Sequence, residues 1–270
     1  MKKFIRFILV GIVSLGLAGC ATSSTTSAGS VGADRNQLLL IDEATMEESA
    51  RQSYAQVLQE ARSAGTLNTN AATTERVRNI ARRLIAQTGT FRQDALGWDW
   101  QVNVITDETV NAWCMPGGKI VVYTGIIDSL NLTDAQLAAV MGHEISHALR
   151  EHSREQASQD GLRLLGVSIV SSIAGFGDLG MTVLDLASQY TYSLPNSRKH
   201  ETEADHIGTE LMARAGYDPY EAVNVWKKME DVSGSSIPEI LSTHPSHSSR
   251  IKDLKTIAEK VYPLYAATRN

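Results

Sequence analysis

The chain has 270 residues, 43% of them hydrophobic and 20% charged, with a formal net charge of −5. That is enough apolar material for one good core or two modest ones, and the acidic balance argues against nucleic acid as a partner. Its two cysteines, Cys20 and Cys114, are too few for a disulfide framework and stand in no C-x-x-C metal knuckle.

Residues 1–19 carry Lys2, Lys3 and Arg6 and then an apolar run that is shorter than the about 20 residues of a spanning helix. They read as a signal peptide. The ending Leu17-Ala18-Gly19-Cys20 resembles a bacterial lipobox, which implies that Cys20 is lipidated and becomes the first mature residue; the rival is ordinary cleavage with Cys20 incidental. Ala21 follows where an acidic residue often holds such lipoproteins at the inner membrane, so the expected location is the periplasmic face of the outer membrane, with the lipid at Cys20 as the membrane contact. Removing residues 1–19 deletes two lysines, one arginine and no acid, so the mature net charge falls to −8. Residues 20–33 are then the lipidated cysteine and a small, polar, low-complexity stretch, expected as a flexible tether of on the order of 20 Å.

The remaining chain, 34–270, reads as one domain. Helical spacing runs from Asp34 to about Ala64 and again from about Thr74 to Thr88. At Trp98 the texture changes to short β-branched and aromatic runs, WQVNVIT, VNAWCM and KIVVYTG, the last two joined through Pro116-Gly117-Gly118 as a hairpin. Thr133 to Gln136 forms a capping box that opens the next helix. Residues 161–190, very apolar but interrupted by charges and glycines, are expected as two helices covering the site, with a membrane segment as the alternative.

The helix after the capping box contains HEISHALREH, residues 143–152. At 100° per residue, His147 lies about 40° from His143, Glu144 about 100° and His152 about 180°. His143 and His147 can converge on one ion with Glu144 in reach of a water there as general base, or the pattern is a chance match on a charged helix; His152 falls on the far side and is expected as an exposed polar residue. A catalytic zinc usually takes a third protein ligand. The metzincin pattern fails, because the positions it needs hold Arg150 and Ser153. Downstream, SRKHETEAD places Glu201 and Asp205 four apart on one helical face and turns Glu203 about 200° away from Glu201. This is either a ligand carboxylate with an orienting carboxylate one turn on or a solvated acidic face.

Four blocks in order, NAWCMPGGKIVVYTGII, the HEISH helix, SRKHETEAD and STHPSHSSRI, resemble the HtpX-like and Oma-type zinc metallopeptidases, and among them the small bacterial lipoprotein members. The resemblance implies an α+β, mainly α gluzincin-type domain with a small β-sheet beside the HExxH helix. It also implies one zinc per chain on His143, His147 and Glu201, with Asp205 orienting a ligand histidine. Implied with it is endopeptidase action on unfolded or misassembled envelope proteins. In thermolysin-like peptidases an edge strand beside the site pairs with extended substrate, so substrate is expected along the hairpin edge at Asn111, Ala112, Gly118, Ile120 and Val122. The related H-P block brings its histidine close to the metal, so His244 is expected there, either as a fourth ligand in a latent state or as an oxyanion donor. The alternative function is a lipoprotein that binds clients without cutting them.

Overall fold

The structure is a computed structural model that describes residues 22–172, 196–232, 239–244 and 249–269. The signal peptide and Cys20 lie outside the described residues. In chain order the elements are β1 (Thr22–Ser23), β2 (Gln37–Leu38), α1 (Glu43–Ser63), α2 (Ala71–Ile85), two short 3-10 turns, β3 (Gln101–Ile105), β4 (Ala112–Met115) and β5 (Lys119–Tyr123). Then follow α3 (Thr124–Ser129), α4 (Asp134–Leu149), α5 (His152–Ser172), α6 (Arg198–Arg214), α7 (Glu221–Val232), α8 (Glu239–Thr243) and α9 (Arg250–Ala267). The fold is α+β and mainly α, as the sequence led us to expect.

The first long helix starts later than its apolar spacing suggests. Asp42 is extended and its carboxylate accepts from Thr45 N at 3.1 Å, which caps α1 and leaves residues 34–42 outside it. The N-terminal arm differs from the expected tether too. Thr26, Val31 and Ala33 are buried, Ser27 N donates to Phe91 O at 2.7 Å, and Ser30 N and Val31 N donate to Glu210 Oε2 at 2.8 and 3.1 Å. Small polar residues look like linker in composition, but here their main-chain donors satisfy a buried carboxylate.

The three-stranded sheet has the order β3-β5-β4, with β3 and β5 parallel and β4 and β5 antiparallel. Strand alternation divides its two faces. Val104, Ala112, Cys114, Ile120 and Val122 enter the main core with α2, α4 and α6, whereas Ile105, Trp113, Met115 and Val121 pack on Ala50, Tyr54, Leu58 and Ala61 of α1. This order corrects part of the substrate expectation. Ile120 and Val122 sit on the central strand, paired on both sides, and cannot accept another strand. Gly118 is a turn residue with φ +80, whose carbonyl already accepts from Gln101 N at 3.0 Å and whose missing side chain leaves room for the Trp100 ring. Only Asn111 and Ala112 lie at the open edge, on or just before β4, which packs against α4.

The HExxH helix α4 carries both halves of its expected capping box, Gln136 N to Thr133 Oγ1 and Thr133 N to Gln136 Oε1, each at 3.3 Å. It runs against α6, where Gly142 and Gly208 face each other: a Cβ built on Gly208 would stand 2.7 Å from His143 N and 2.8 Å from Gly142 C. Of the stretch 161–190, α5 extends to Ser172 and residues 173–190 lie outside the described residues. Among the described residues no helix is long and apolar enough to cross a membrane.

Because the two helix backbones touch at this glycine pair, Gly208→Ala should force them apart. The expected loss is about 1–3 kcal/mol of unfolding free energy, the usual range for overpacking. Denaturant unfolding of the metal-free protein checks it, and an unchanged midpoint would mean that α4 and α6 have slack.

Candidate metal centre

Two neighbouring helices and one short one supply the site. From α4 come His143 and His147, from α6 Glu201 and Asp205, and from the end of α8 His244. One ligand atom from each of His143, His147, Glu201 and His244 lies within 4.8 Å of all the others, and all four residues are buried. His143 Nε2 is 3.1 Å from His147 Nε2 and 3.2 Å from His244 Nδ1. Glu201 oxygens are 3.4 Å from both helix imidazoles and 3.0 Å from His244 Nδ1. Tetrahedral zinc with ligands at about 2.0–2.1 Å would set them about 3.3 Å apart. The spacings of His143 to His147 and to His244, 3.1 and 3.2 Å, match that figure, while the four ligand atoms taken together lie within 4.8 Å.

The chemistry of the donors points the same way. His143 Nδ1 lies 3.0 Å from Asp205 Oδ1, so that nitrogen carries the proton and the Nε2 lone pair faces the cluster. Bringing a second imidazole Nε2 to 3.1 Å from it sets two acceptors against each other unless a cation or a proton lies between them. Burial drives His147 down to about 3, which leaves it the neutral imidazole that a metal binds. Burial acts to raise Glu201, but the surrounding imidazoles, His244 foremost, outweigh it and hold the carboxylate well below its usual range.

Glu144 projects from the turn that carries His143. Burial raises its pKa, its Oε1 has no hydrogen-bond partner among the described residues, and that atom is 3.5 Å from His244 Nε2. Behind the cluster stands Arg250, at the start of α9. Its Nε and Nη2 donate to the two Asp205 oxygens at 2.7 and 2.8 Å, and Nη1 is 2.9 Å from Glu201 Oε2. The guanidinium carbon stacks 3.4 Å from the centroid of the Trp226 ring. The sequence reading named Arg250 only as part of a matching block and missed Trp226; neither has a local motif that ties it to residues more than twenty positions away.

The structure thus brings together His143, His147, Glu144, Glu201, Asp205 and His244, and it corrects the reading of His152. The 100° count assumed one continuous helix, but α4 ends at Leu149 with Arg150 as its cap, and Glu151 takes φ +50 before α5 begins at His152. Arg92 reaches this corner, donating to Glu151 and to Glu43 of α1. The turn brings His152 back under the site, fully buried, with its Nδ1 2.8 Å from His147 Nδ1. Glu203, expected to face away, is 3.0 Å from His152 Nε2 and pairs with Arg150 and Arg35.

A family model described as Peptidase family M48 matches residues 71–258. Over 156 residues the chain is 38% identical to the mitochondrial metalloendopeptidase OMA1 of Arabidopsis thaliana, covering 58% of this chain and 31% of that protein. Over 192 residues it is 34% identical to OMA1 of Schizosaccharomyces pombe, covering 68% and 52%. Over 171 residues it is 30% identical to the beta-barrel assembly-enhancing protease of Escherichia coli, covering 60% and 35%. The aligned segment therefore spans about a third to a half of the length of these relatives. The family match over residues 71–258 contains every residue of the metal cluster, and on that match the chain belongs to peptidase family M48.

Proposed function

We propose that this protein is a zinc-dependent endopeptidase of the bacterial cell envelope that cuts unfolded or misassembled proteins. The observation that carries the reading is the meeting of four ligand atoms within 4.8 Å beside a buried glutamate on the same helical turn. Two imidazoles with a carboxylate suit zinc among the divalent ions. His143, His147 and Glu201 hold it. Bound zinc polarises the scissile carbonyl and lowers the pKa of a water. Glu144, its pKa raised by burial, takes the proton of the attacking water and passes it to the leaving amine. Asp205 fixes the ring of His143, and Arg250 balances the two buried carboxylates Asp205 and Glu201.

Substrate pairs with the open edge of β4, main chain to main chain, which gives broad sequence preference. Tyr123 N donates to Asn111 O at 3.2 Å, so by antiparallel alternation the main-chain groups of Ala112 and Cys114 face the open side. The start of that edge is covered by α8, through Ile240 N to Val110 O at 3.2 Å and Asn111 Nδ2 to Glu239 Oε1 at 3.1 Å. His244 at the end of the same helix would take a fourth ligand place, which would give a latched state in which one segment guards both the metal and the substrate edge.

The envelope assignment rests on the lipobox-like residues 17–20 and on the relatives named as beta-barrel assembly-enhancing proteases. The lipid at Cys20 anchors the chain to the membrane. Residues 22–33 then position the domain close to that anchor, because they are packed on it.

Cleavage of casein by the full chain should be abolished by a chelator and restored by zinc, and Glu144→Gln should bind zinc normally yet lose at least about a hundredfold in rate. Casein left uncut by the zinc-loaded protein both as the unaltered chain and as His244→Ala would make it a client-binding protein instead. His244→Ala should raise basal proteolysis as the latch is lost. A fall of about a hundredfold in kcat with zinc content unchanged would assign His244 to the oxyanion. Cys20→Ala should move the protein from the membrane to the soluble fraction, and continued sedimentation with membranes would sink the anchor.

A further inference from the structure

The two helix ligands are held in different ways. His143 is oriented by a carboxylate, Asp205. Among the described residues His147 has no carboxylate on its free ring nitrogen; it meets another imidazole, His152, Nδ1 to Nδ1 at 2.8 Å. The proton directions follow from the partners. His147 keeps its Nε2 lone pair for the cluster, so its Nδ1 carries the hydrogen and donates it, and His152 Nδ1 accepts. The hydrogen of His152 is then on Nε2, which lies 3.0 Å from Glu203 Oε2 and donates there. Each imidazole has one proton and one purpose for each nitrogen.

Beyond Glu203 the series continues into the N-terminal arm. Glu203 Oε1 accepts from Arg35, whose two terminal nitrogens each donate to Glu155 at 2.6 Å. Glu155 Oε2 also lies 3.2 Å from His200 Nε2, and the His200 ring stacks on His152 at 4.3 Å between centroids and 14° between planes. Arg150, fully buried at the end of α4, ties the same carboxylate to the arm by donating to Glu203 Oε2 at 3.3 Å and to Thr26 Oγ1 at 2.9 Å. The ring of His152 is thus fixed at both nitrogens and on one face. A packing residue would need none of this directionality.

We infer that His152 is a positioning residue for the metal ligand His147, and that Glu203 and Arg35 extend its support to the N-terminal arm. The inference rests on the metal reading above. Partners of this kind are worth about 10–100-fold in metal affinity. The arm, composed like a linker, is on this view part of the metal site's framework.

Two conservative substitutions separate positioning from packing. An asparagine amide oxygen can stand where Nδ1 of histidine stands and accept from His147, whereas a glutamine amide nitrogen can stand where Nε2 stands and donate to Glu203. In full-length protein titrated with zinc against a chromophoric chelator, His152→Asn should bind within about threefold of the unaltered chain and His152→Gln about 10–100-fold more weakly. Arg35→Ala should weaken zinc binding severalfold in the unaltered chain and cause no further loss in the His152→Gln background, the non-additivity expected of groups in one network. Equal binding by the Asn and Gln variants, whether both normal or both weakened, overturns the positioning role. Additive losses with Arg35→Ala overturn the extension to the arm. His143→Ala separates the two readings: if it still binds zinc as the unaltered chain does, the metal reading itself is wrong. If it loses zinc while His152→Gln binds normally, only the His152 inference fails. Unfolding of each metal-free variant reports stability separately from affinity.

Discussion

The close approach of α4 and α6 at Gly142 and Gly208 is the contact on which the rest of the site depends. With a Cβ on Gly208 only 2.7 Å from the His143 amide nitrogen, no other residue type fits without parting the helices. His143 is itself one residue beyond Gly142, so this close backbone approach is also where the first ligand leaves its helix. Glu201 and Asp205 come from the turns of α6 just before Gly208. Ligand atoms 3.0–3.4 Å apart on separate helices tolerate little sliding, and a backbone contact is stiffer than any pair of side chains.

Such a site concentrates charge out of water. Glu144, Glu201 and Asp205 are all buried. Burying one unpaired charge costs several kcal/mol, so each carboxylate needs its own answer. Asp205 has Arg250 and His143, and Glu201 has Arg250 and the imidazoles. Glu144 is left without a hydrogen bond at Oε1, and burial raises its pKa. Glu201 Oε2 and Arg250 Nη1 likewise have no hydrogen-bond partner among the described residues although they stand 2.9 Å apart as an ion pair, so the centre carries buried polar atoms still open to a ligand.

A second polar network lies where the chain bends sharply between α4 and α5. Arg92 and Glu151 secure the bend, and Arg150, Glu203, Arg35 and Glu155 fill the space beneath it. These residues come from four stretches of chain. A cooperative network of this kind rigidifies its members only when nearly all of them are satisfied, which gives the N-terminal arm a reason to stay packed despite its small, polar composition.

What the sequence by itself determined is what one stretch of helix or one turn can hold. The four-residue spacing of His143 and His147, the pairing of Glu201 with Asp205, the capping box at Thr133 and Gln136 and the hairpin at Gly117 and Gly118 all follow from geometry within a few bonds of the residues concerned. The family resemblance added the link between the two helices. Tertiary structure alone decided the strand order, which took β5 out of reach of a substrate; the sharp corner at Glu151, which turned His152 from a surface residue into a neighbour of His147; and the packing of the arm. The physical reason is the range of the interactions. His152 and Glu203 are 51 positions apart, and Arg35 and Glu203 are 168 apart, so no local period reveals them, and they meet only because the core between them has closed.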